Sequence, residues 1–395
     1  MKPFNLIDTS NGGSVKNDIL SGLTVALALV PEAVAFAFVA GVSPIVGLYG
    51  AFIMGLITSV FGGRPGMISG ATGAMAVVMV SLVSEGNTLG GFENAGLQFL
   101  FVTLILTGAL QVAAGVLRLG KFVRMIPHSV MMGFVNGLAI VIFLSQLSMF
   151  KTNGEWLSET ALYTMLGLVA LTMILMVGMP YVTKKIPAPL TAIVVVSLLV
   201  IFGNLETETV RSFVVSNGGE GIQAGLPTFQ IPLIALSLDN FLFILPYAII
   251  LAAIGLIESL MTLTLIDELT DSHGSGNREC AAQGFGNILN GFFGGMGGCA
   301  MIGQSIINIK SGGRGRLSGI TASVALLGFI LFGSSYIEQV PIAALVGVMF
   351  MVVIGTFAWN TFRIWNKVPK ADAIVIVLVT GLTVAFDLAI AVLAG

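Results

Sequence analysis

A chain of 395 residues that is 56% hydrophobic and only 9% charged stands apart from soluble domains, which run at about 25% charged. Its mean hydropathy of +1.01 comes from many apolar windows long enough to cross a hydrocarbon core about 30 Å thick, which excludes both a soluble globular fold and a lone anchor on a soluble domain. The formal net charge of −2 says little, because in a membrane the placement of Lys and Arg matters; no nucleic-acid partner is expected, and the lipid bilayer is.

The polar N-terminus, MKPFNLIDTSNGGSVKND, lacks a short apolar core ending in a cleavage site, so no signal peptide is expected and the first span directs insertion. Cutting the apolar runs at polar breaks predicts spans at 19–40, 43–62, 67–84, 97–117, 125–149, 161–180, 187–203, 240–266, 280–297, 300–311, 317–335, 339–357 and 371–394. The stretch 358–370, with Trp359, Arg363, Trp365 and Lys367, reads as interfacial or as one further short helix. The fold class is therefore an all-α polytopic membrane protein with about 14 transmembrane segments. The polar interruption at 204–238 reads as an extracellular connecting loop between 1–203 (spans 1–7) and 239–395 (spans 8–14).

With the N-terminus cytoplasmic, Lys2, Lys16, Arg64, Arg118, Lys121, Arg124, Lys184, Lys185, Arg278, Lys310, Arg314, Arg316, Arg363, Lys367 and Lys370 all fall inside, and only Lys151 and Arg211 fall outside. That threading suits a multi-pass protein of the cell inner (plasma) membrane. An odd number of spans in each half inverts the second half relative to the first, the plan of many secondary transporters. Span 1 (GLTVALALVPEAVAF) and span 8 (ILPYAIILAAIGLIESL) each carry a proline and a mid-membrane acid, Glu32 and Glu258.

Two spans look broken. In GMISGATGAMAVVMVSLVS (66–84) steady helical character begins near Gly73, and in GGMGGCAMIGQSIINIKS (294–311) it begins near Gly303. Each reads as an extended lead-in followed by a half-helix, at spans 3 and 10. Unwound backbone at that depth is tolerated only where it is buried in protein or lines a wet cavity. In inverted repeats the two half-helix N-termini would face one another, each offering free N–H groups and about half a positive charge, an anion site made from backbone. Thr72, Gly73 and Ala74 are the candidate donors on the first half-helix, with Ser69 adding a hydroxyl and Phe36 and Phe38 as candidate walls. The alternative is that these glycines serve close helix packing.

A carboxylate in mid-membrane costs about 2.5 kcal/mol or more, so Glu258 should meet a cavity, a cation or a proton. No Lys, Arg or His lies in a span near it, which leaves Na+, H+ or a permanently protonated acid. Glu32, after the donor-less Pro31, reads as a possible proton carrier or as a structural acid bonded to freed backbone. Cys280 and Cys299 read as packing cysteines, Arg314 and Arg316 as anchors on the cytoplasmic side, and Asp387 as a packing or interfacial feature. His128 and His273 have the spacing of neither a metal site nor a triad, and no Walker A motif suggests an ATP-driven pump.

The runs VPEAVAFAFVAG (30–41), GVSPIVGLYGAF (41–52), ISGATGAMAVV (68–78), GLIESL (255–260) and QSIINIKSGGRGRLSG (304–319) together resemble the SulP family of anion transporters, which spans sulfate permeases and bicarbonate transporters. The resemblance covers essentially the whole chain. It implies seven-plus-seven inverted repeats arranged as core and gate domains, an anion site between the N-termini of spans 3 and 10, and elevator-like motion of the core. Gly303, Gln304 and Ser305 fall in the span-10 motif and join Ser69, Thr72, Gly73, Ala74 and Phe36 as anion-site candidates. Family members usually carry a cytoplasmic STAS domain after the last span; this sequence stops at AVLAG, so it is expected to be a membrane domain without it.

Departures from the family pattern narrow the expectation. Many relatives have Gln where this chain has Glu32, and many have Arg where it has Gln304, an Arg that the bicarbonate branch also lacks. That branch places an acid and a Thr one turn apart on span 8, where sodium is thought to bind; the equivalents are Glu258 and Thr262, on one helix face. A neutral Gln304 would leave the positive role to a mobile cation and the helix dipoles. The expected function is secondary transport of a small inorganic oxyanion, bicarbonate ahead of sulfate, by Na+-coupled symport, with no cofactor beyond Na+ or H+ as coupling ion and with a homodimer as the assembly. The alternatives are H+-coupled transport of sulfate or a dicarboxylate, a passive anion channel or exchanger, and a nucleobase permease. The chain is not expected to be an enzyme.

Overall fold

The computed structural model describes residues 14–92, 94–120, 128–152, 155–182, 188–216, 225–234, 237–359, 361 and 370–385. Helices α1 (Val15–Val39) and α2 (Pro44–Phe61) lead to a strand β1 (Ser69–Ala71), then α3 (Gly73–Gly90) and α4 (Ala95–Val116). Next come α5 (His128–Leu147), a small hairpin of β2 (Lys151–Thr152) and β3 (Glu155–Trp156), α6 (Glu159–Val182), α7 (Ala188–Gly203) and a short α8 (Val210–Ser216). The second half runs α9 (Leu238–Thr270), α10 (Gly276–Phe293), β4 (Gly298–Ala300), α11 (Ile302–Lys310), α12 (Arg316–Glu338), α13 (Ile342–Thr356) and α14 (Lys370–Ala385). The protein is an all-α polytopic membrane protein, and α1, α2, α4, α6, α9 and α12 are each long and apolar enough to span a bilayer.

Several details differ from the sequence expectation. The two interrupted spans are unequal: α11 has nine residues, about 14 Å or half a crossing, whereas α3 starts at Gly73 but runs past residue 84 to Gly90. Its extra turns carry exposed Ser84 and Glu85, which water can solvate. The connection at 204–238 is not all loop, since α8 lies in it. Residues 225–233 are also fastened down: Tyr49 Oη donates to Gly225 O at 3.1 Å, Gln230 N to Phe292 O at 2.7 Å and Leu233 N to Gln98 Oε1 at 2.9 Å. Arg363, Trp365, Lys367 and Asp387 lie outside the described residues.

Two compact units interleave the halves of the sequence, one made of Met1–Val123 and Ile222–Tyr336, the other of Arg124–Gly221 and Ile337–Gly395. The first unit contains α1–α4, α9–α11 and nearly all of α12. Its interior is filled by Leu29, Leu48, Met54, Met75, Met79, Leu104 and Leu251, each almost wholly buried. Helices α4 and α10 meet at a glycine contact, where a Cβ on Gly284 would sit 2.6 Å from the Val112 nitrogen. Small residues of this kind let membrane helices pack backbone to backbone. In the second unit, α13 packs against α5, α6 and α7, and α14 against α5. There Asn136 Nδ2 donates to Thr361 Oγ1 at 3.0 Å, its Oδ1 accepts from Ala358 N at 2.8 Å, and the Phe143, Phe150 and Phe350 rings cluster.

The arginines read as anchors also cap helices. Arg316 is 8% exposed; its Nη1 donates to Ser59 O at 2.9 Å and Val60 O at 3.1 Å, and its Nη2 to Gly62 O at 2.7 Å, satisfying the open carbonyls at the end of α2. Arg314 Nη1 likewise donates to Ile309 O at 2.9 Å near the end of α11. The planar fork of a guanidinium reaches several carbonyls at once, which a loop-anchoring charge has no need to do. Arg316→Ala is expected to cost about 3 kcal/mol through unmade bonds to buried carbonyls, lowering the detergent-solubilised thermal midpoint by about 5 °C. A midpoint equal to that of the wild type would return Arg316 to the role of anchor.

Candidate anion and coupling site

The two extended lead-ins pair with one another. Strands β1 and β4 are antiparallel, with Ser69 opposite Ala300, Gly70 opposite Cys299 and Ala71 opposite Gly298. Each strand hands over to a helix, β1 to α3 and β4 to α11. Because the strands run in opposite directions, the helices start at opposite ends of the ribbon and lead away from it. Their N-termini therefore face the same short segment, with the N-caps at Thr72 and Met301, both in extended conformation. The first intrahelical bonds are those of Ala76 N to Thr72 O and Ser305 N to Met301 O, so the preceding N–H groups, including those of Gly73, Ala74 and Gly303, have no partner within their helices.

A two-stranded ribbon inside a membrane protein needs its edges satisfied by other groups. Asn287 supplies one edge: its Oδ1 accepts from Gly298 N at 3.0 Å, and its Nδ2 donates to Gly298 O at 3.0 Å and to Gln111 Oε1 at 2.9 Å. Ser259 Oγ accepts from Ala300 N at 3.1 Å. Ser305 holds the approach to β1, accepting from Ile68 N at 3.0 Å and donating to Ile68 O at 3.3 Å. Gln283 Nε2 donates to Ser69 Oγ at 2.8 Å and to Glu279 Oε1 at 2.7 Å. The hydroxyls of Ser69 and Ser305 thus already brace the ribbon.

Glu258 is joined to the start of α3 through a thiol. Cys299 Sγ donates to Glu258 Oε2 at 3.0 Å and lies 3.2 Å from Thr72 Oγ1. Cys299 is fully buried, yet it is no mere packing residue as the sequence suggested: it occupies the middle of β4, where a small side chain can reach both groups. Thr262 Oγ1 donates back to Glu258 O at 2.8 Å, one turn along the same helix face. A second acid sits beside the other half-helix, where Gln304 Nε2 donates to Glu32 Oε1 at 2.6 Å. Glu32 is 9% exposed, Gln304 2% and Phe36, one turn after Glu32, 4%.

The structure thus gathers Ser69, Thr72, Gly73, Ala74, Glu258, Ser305, Gln304 and Glu32 around one ribbon in the first unit. Gly303 is different: it is exposed, and a Cβ there would meet nothing within 4 Å among the described residues. Sequence reasoning missed Asn287, Gln283 and Gln111. The signal was present, because Glu279, Gln283 and Asn287 recur at four-residue spacing and so mark one polar face of α10, in a span taken as an ordinary crossing.

Helical spans, interrupted by a short ribbon flanked by helix N-termini, define a polytopic membrane protein with a backbone-rich site. A profile of the sulfate permease family matches residues 15–379, and the chain belongs to that family. A putative sulfate transporter of Bacillus subtilis (strain 168), YbaR, is 45% identical over 375 residues, 95% of this chain and 74% of its own. The bicarbonate transporter BicA of Picosynechococcus sp. is 33% identical over 403 residues, covering 97% of this chain and 69% of its own. Among solved structures, the transmembrane domain of a cyanobacterium bicarbonate transporter BicA superposes with a TM-score of 0.83 at 31% identity, covering 98% of each chain. The family and these relatives are anion transporters, of sulfate and of bicarbonate.

Proposed function

We propose that the chain is a secondary active transporter of a small inorganic oxyanion, bicarbonate ahead of sulfate, driven by Na+ symport. The observation that carries this reading is the chain of contacts from Glu258 through Cys299 to Thr72, which ties a mid-membrane acid on α9 to the N-terminus of α3. An anion on the α3 N–H groups and a cation on Glu258 would then favour each other through a few ångströms of protein, where charges interact far more strongly than in water. Na+ takes oxygen ligands, and the Glu258 carboxylate with Thr262 Oγ1 offers two from one helix face. The neutral Gln304 leaves this cation as the principal positive charge. Transport would proceed by an elevator movement of the unit that holds the site, in a homodimer of the inner membrane with a cytoplasmic N-terminus.

Proton coupling to sulfate is the second reading, and one observation favours it: the group that holds Glu258 is a thiol, a poor ligand for a hard cation but a good partner for a carboxyl. Uptake of labelled bicarbonate and labelled sulfate into proteoliposomes, each with and without an inward Na+ gradient at fixed pH, separates the two. Bicarbonate uptake at least tenfold faster with the Na+ gradient is expected. Sulfate uptake indifferent to Na+ and driven by external acid would establish the second reading, and currents indifferent to both gradients would make the protein a passive channel.

A further inference from the structure

We propose that Gln304 reads a hydroxyl on the transported anion: its Oε1 accepts the O–H of a hydrogen-bearing oxyanion such as bicarbonate, while the N–H groups opening α3 and α11 hold the charge. The inference rests on the anion-transport reading above and sets the substrate class within it. A primary amide has a donor end and an acceptor end. The donor end of Gln304 is taken, since Nε2 donates to Glu32 Oε1 at 2.6 Å. Glu32 Oε1 accepts that bond, and the contact sets which way the amide faces. The acceptor end, Oε1, has no hydrogen-bond partner among the described residues, although Gln304 is only 2% exposed.

A buried acceptor without a donor is uncommon and calls for one. It lies in the first turn of α11, directly after Gly303, which is exposed and where a Cβ would meet nothing within 4 Å among the described residues. The free N–H groups of that turn attract negative charge. A bare oxygen beside them repels an anion made only of acceptors. Donors for the charge together with one acceptor match an anion that carries a hydrogen. Bicarbonate has that hydrogen; sulfate, chloride and nitrate at neutral pH do not. Nitrate is the sharpest comparison, being planar, singly charged and built on three oxygens like bicarbonate. A site that hydrogen-bonds a substrate hydroxyl rejects the analogue lacking it far better than an apolar pocket rejects a change of size.

The test uses the full chain in proteoliposomes and follows Na+-driven uptake of labelled bicarbonate against increasing nitrate and, separately, unlabelled bicarbonate. In the wild type, nitrate is expected to compete at least tenfold more weakly than bicarbonate, a difference of about 1.4 kcal/mol. Gln304→Met keeps the length of the side chain but removes the acceptor, and should bring the two competitors within about threefold of each other. Glu32→Gln keeps the shape of the acid but no longer dictates the orientation of the amide, and should narrow the ratio as well. Equal competition in the wild type overturns the proposal even if neither variant folds, and so does a ratio unchanged in Gln304→Met. If Na+-driven bicarbonate uptake stands while nitrate competes equally, the proposal alone has failed. Uptake of sulfate with none of bicarbonate sinks the proposal together with the bicarbonate reading.

Discussion

Gly298→Ala is expected to abolish uptake and to destabilise the protein by about 1–3 kcal/mol, the usual range for overpacking a filled interior. A Cβ at Gly298 would run into the carbonyl oxygen of Gly70 across the ribbon, lie 2.8 Å from the Gly70 carbonyl carbon and 3.0 Å from Met54 Cγ. The strand cannot back away, because Asn287 grips Gly298 at both its N–H and its C=O. Whatever gives way displaces β1 from β4, and with it the starts of α3 and α11. The loss of function should therefore exceed what the loss of stability explains. Gly328→Ala on α12 is the control: a Cβ there meets nothing within 4 Å among the described residues, and alanine is a better helix former by about 1 kcal/mol. Wild-type uptake by Gly298→Ala, measured in the same vesicles as the control, would show that the ribbon does not set the site.

Much of the architecture is legible in the sequence for a simple reason. A bilayer leaves no backbone group unpaired, so long apolar runs become helices, and the runs from 19–40 to 339–357 coincide with α1–α7 and α9–α13 apart from their ends. The places where the helical pattern fails are legible too, since glycine-led starts at Gly73 and near Gly303 fall within a residue of the beginnings of α3 and α11. Pairing is what one-dimensional reading could not supply. That β1 and β4 bond to each other depends on a register between residues far apart in sequence, set by side chains on α9 and α10 rather than by the strands themselves. Cys299 shows the cost of reading residues singly: a thiol in an apolar stretch is usually packing, and only the neighbours brought by folding, Glu258 and Thr72, give it another role. Arg316 makes the same point, for its charge fits a loop anchor, but its three carbonyl partners lie at the end and C-cap of a helix that stops more than two hundred and fifty residues earlier.

Glu258→Gln should remove the Na+ dependence of uptake and lower Na+-driven bicarbonate accumulation by on the order of 100-fold, equivalent to about 2.8 kcal/mol of coupling. The substitution is close to isosteric: the amide oxygen can still accept from the Cys299 thiol, so β4 keeps that contact and the change is one of charge. An amide oxygen can touch Na+ but cannot neutralise it, and a cation that binds weakly cannot favour the anion on α3. Thr262→Val provides the companion measurement. Its hydroxyl bonds the Glu258 carbonyl one turn earlier, a local bond whose removal costs little, so a fall in apparent Na+ affinity without loss of folded protein would identify Oγ1 as a ligand. If Glu258→Gln retains wild-type accumulation and Na+ dependence, the acid is a buried structural group and coupling lies elsewhere. If the wild type ignores Na+ and the substitution instead eliminates uptake driven by external acid, Glu258 carries a proton, and the thiol beside it is the partner expected of a carboxyl that gains and loses one.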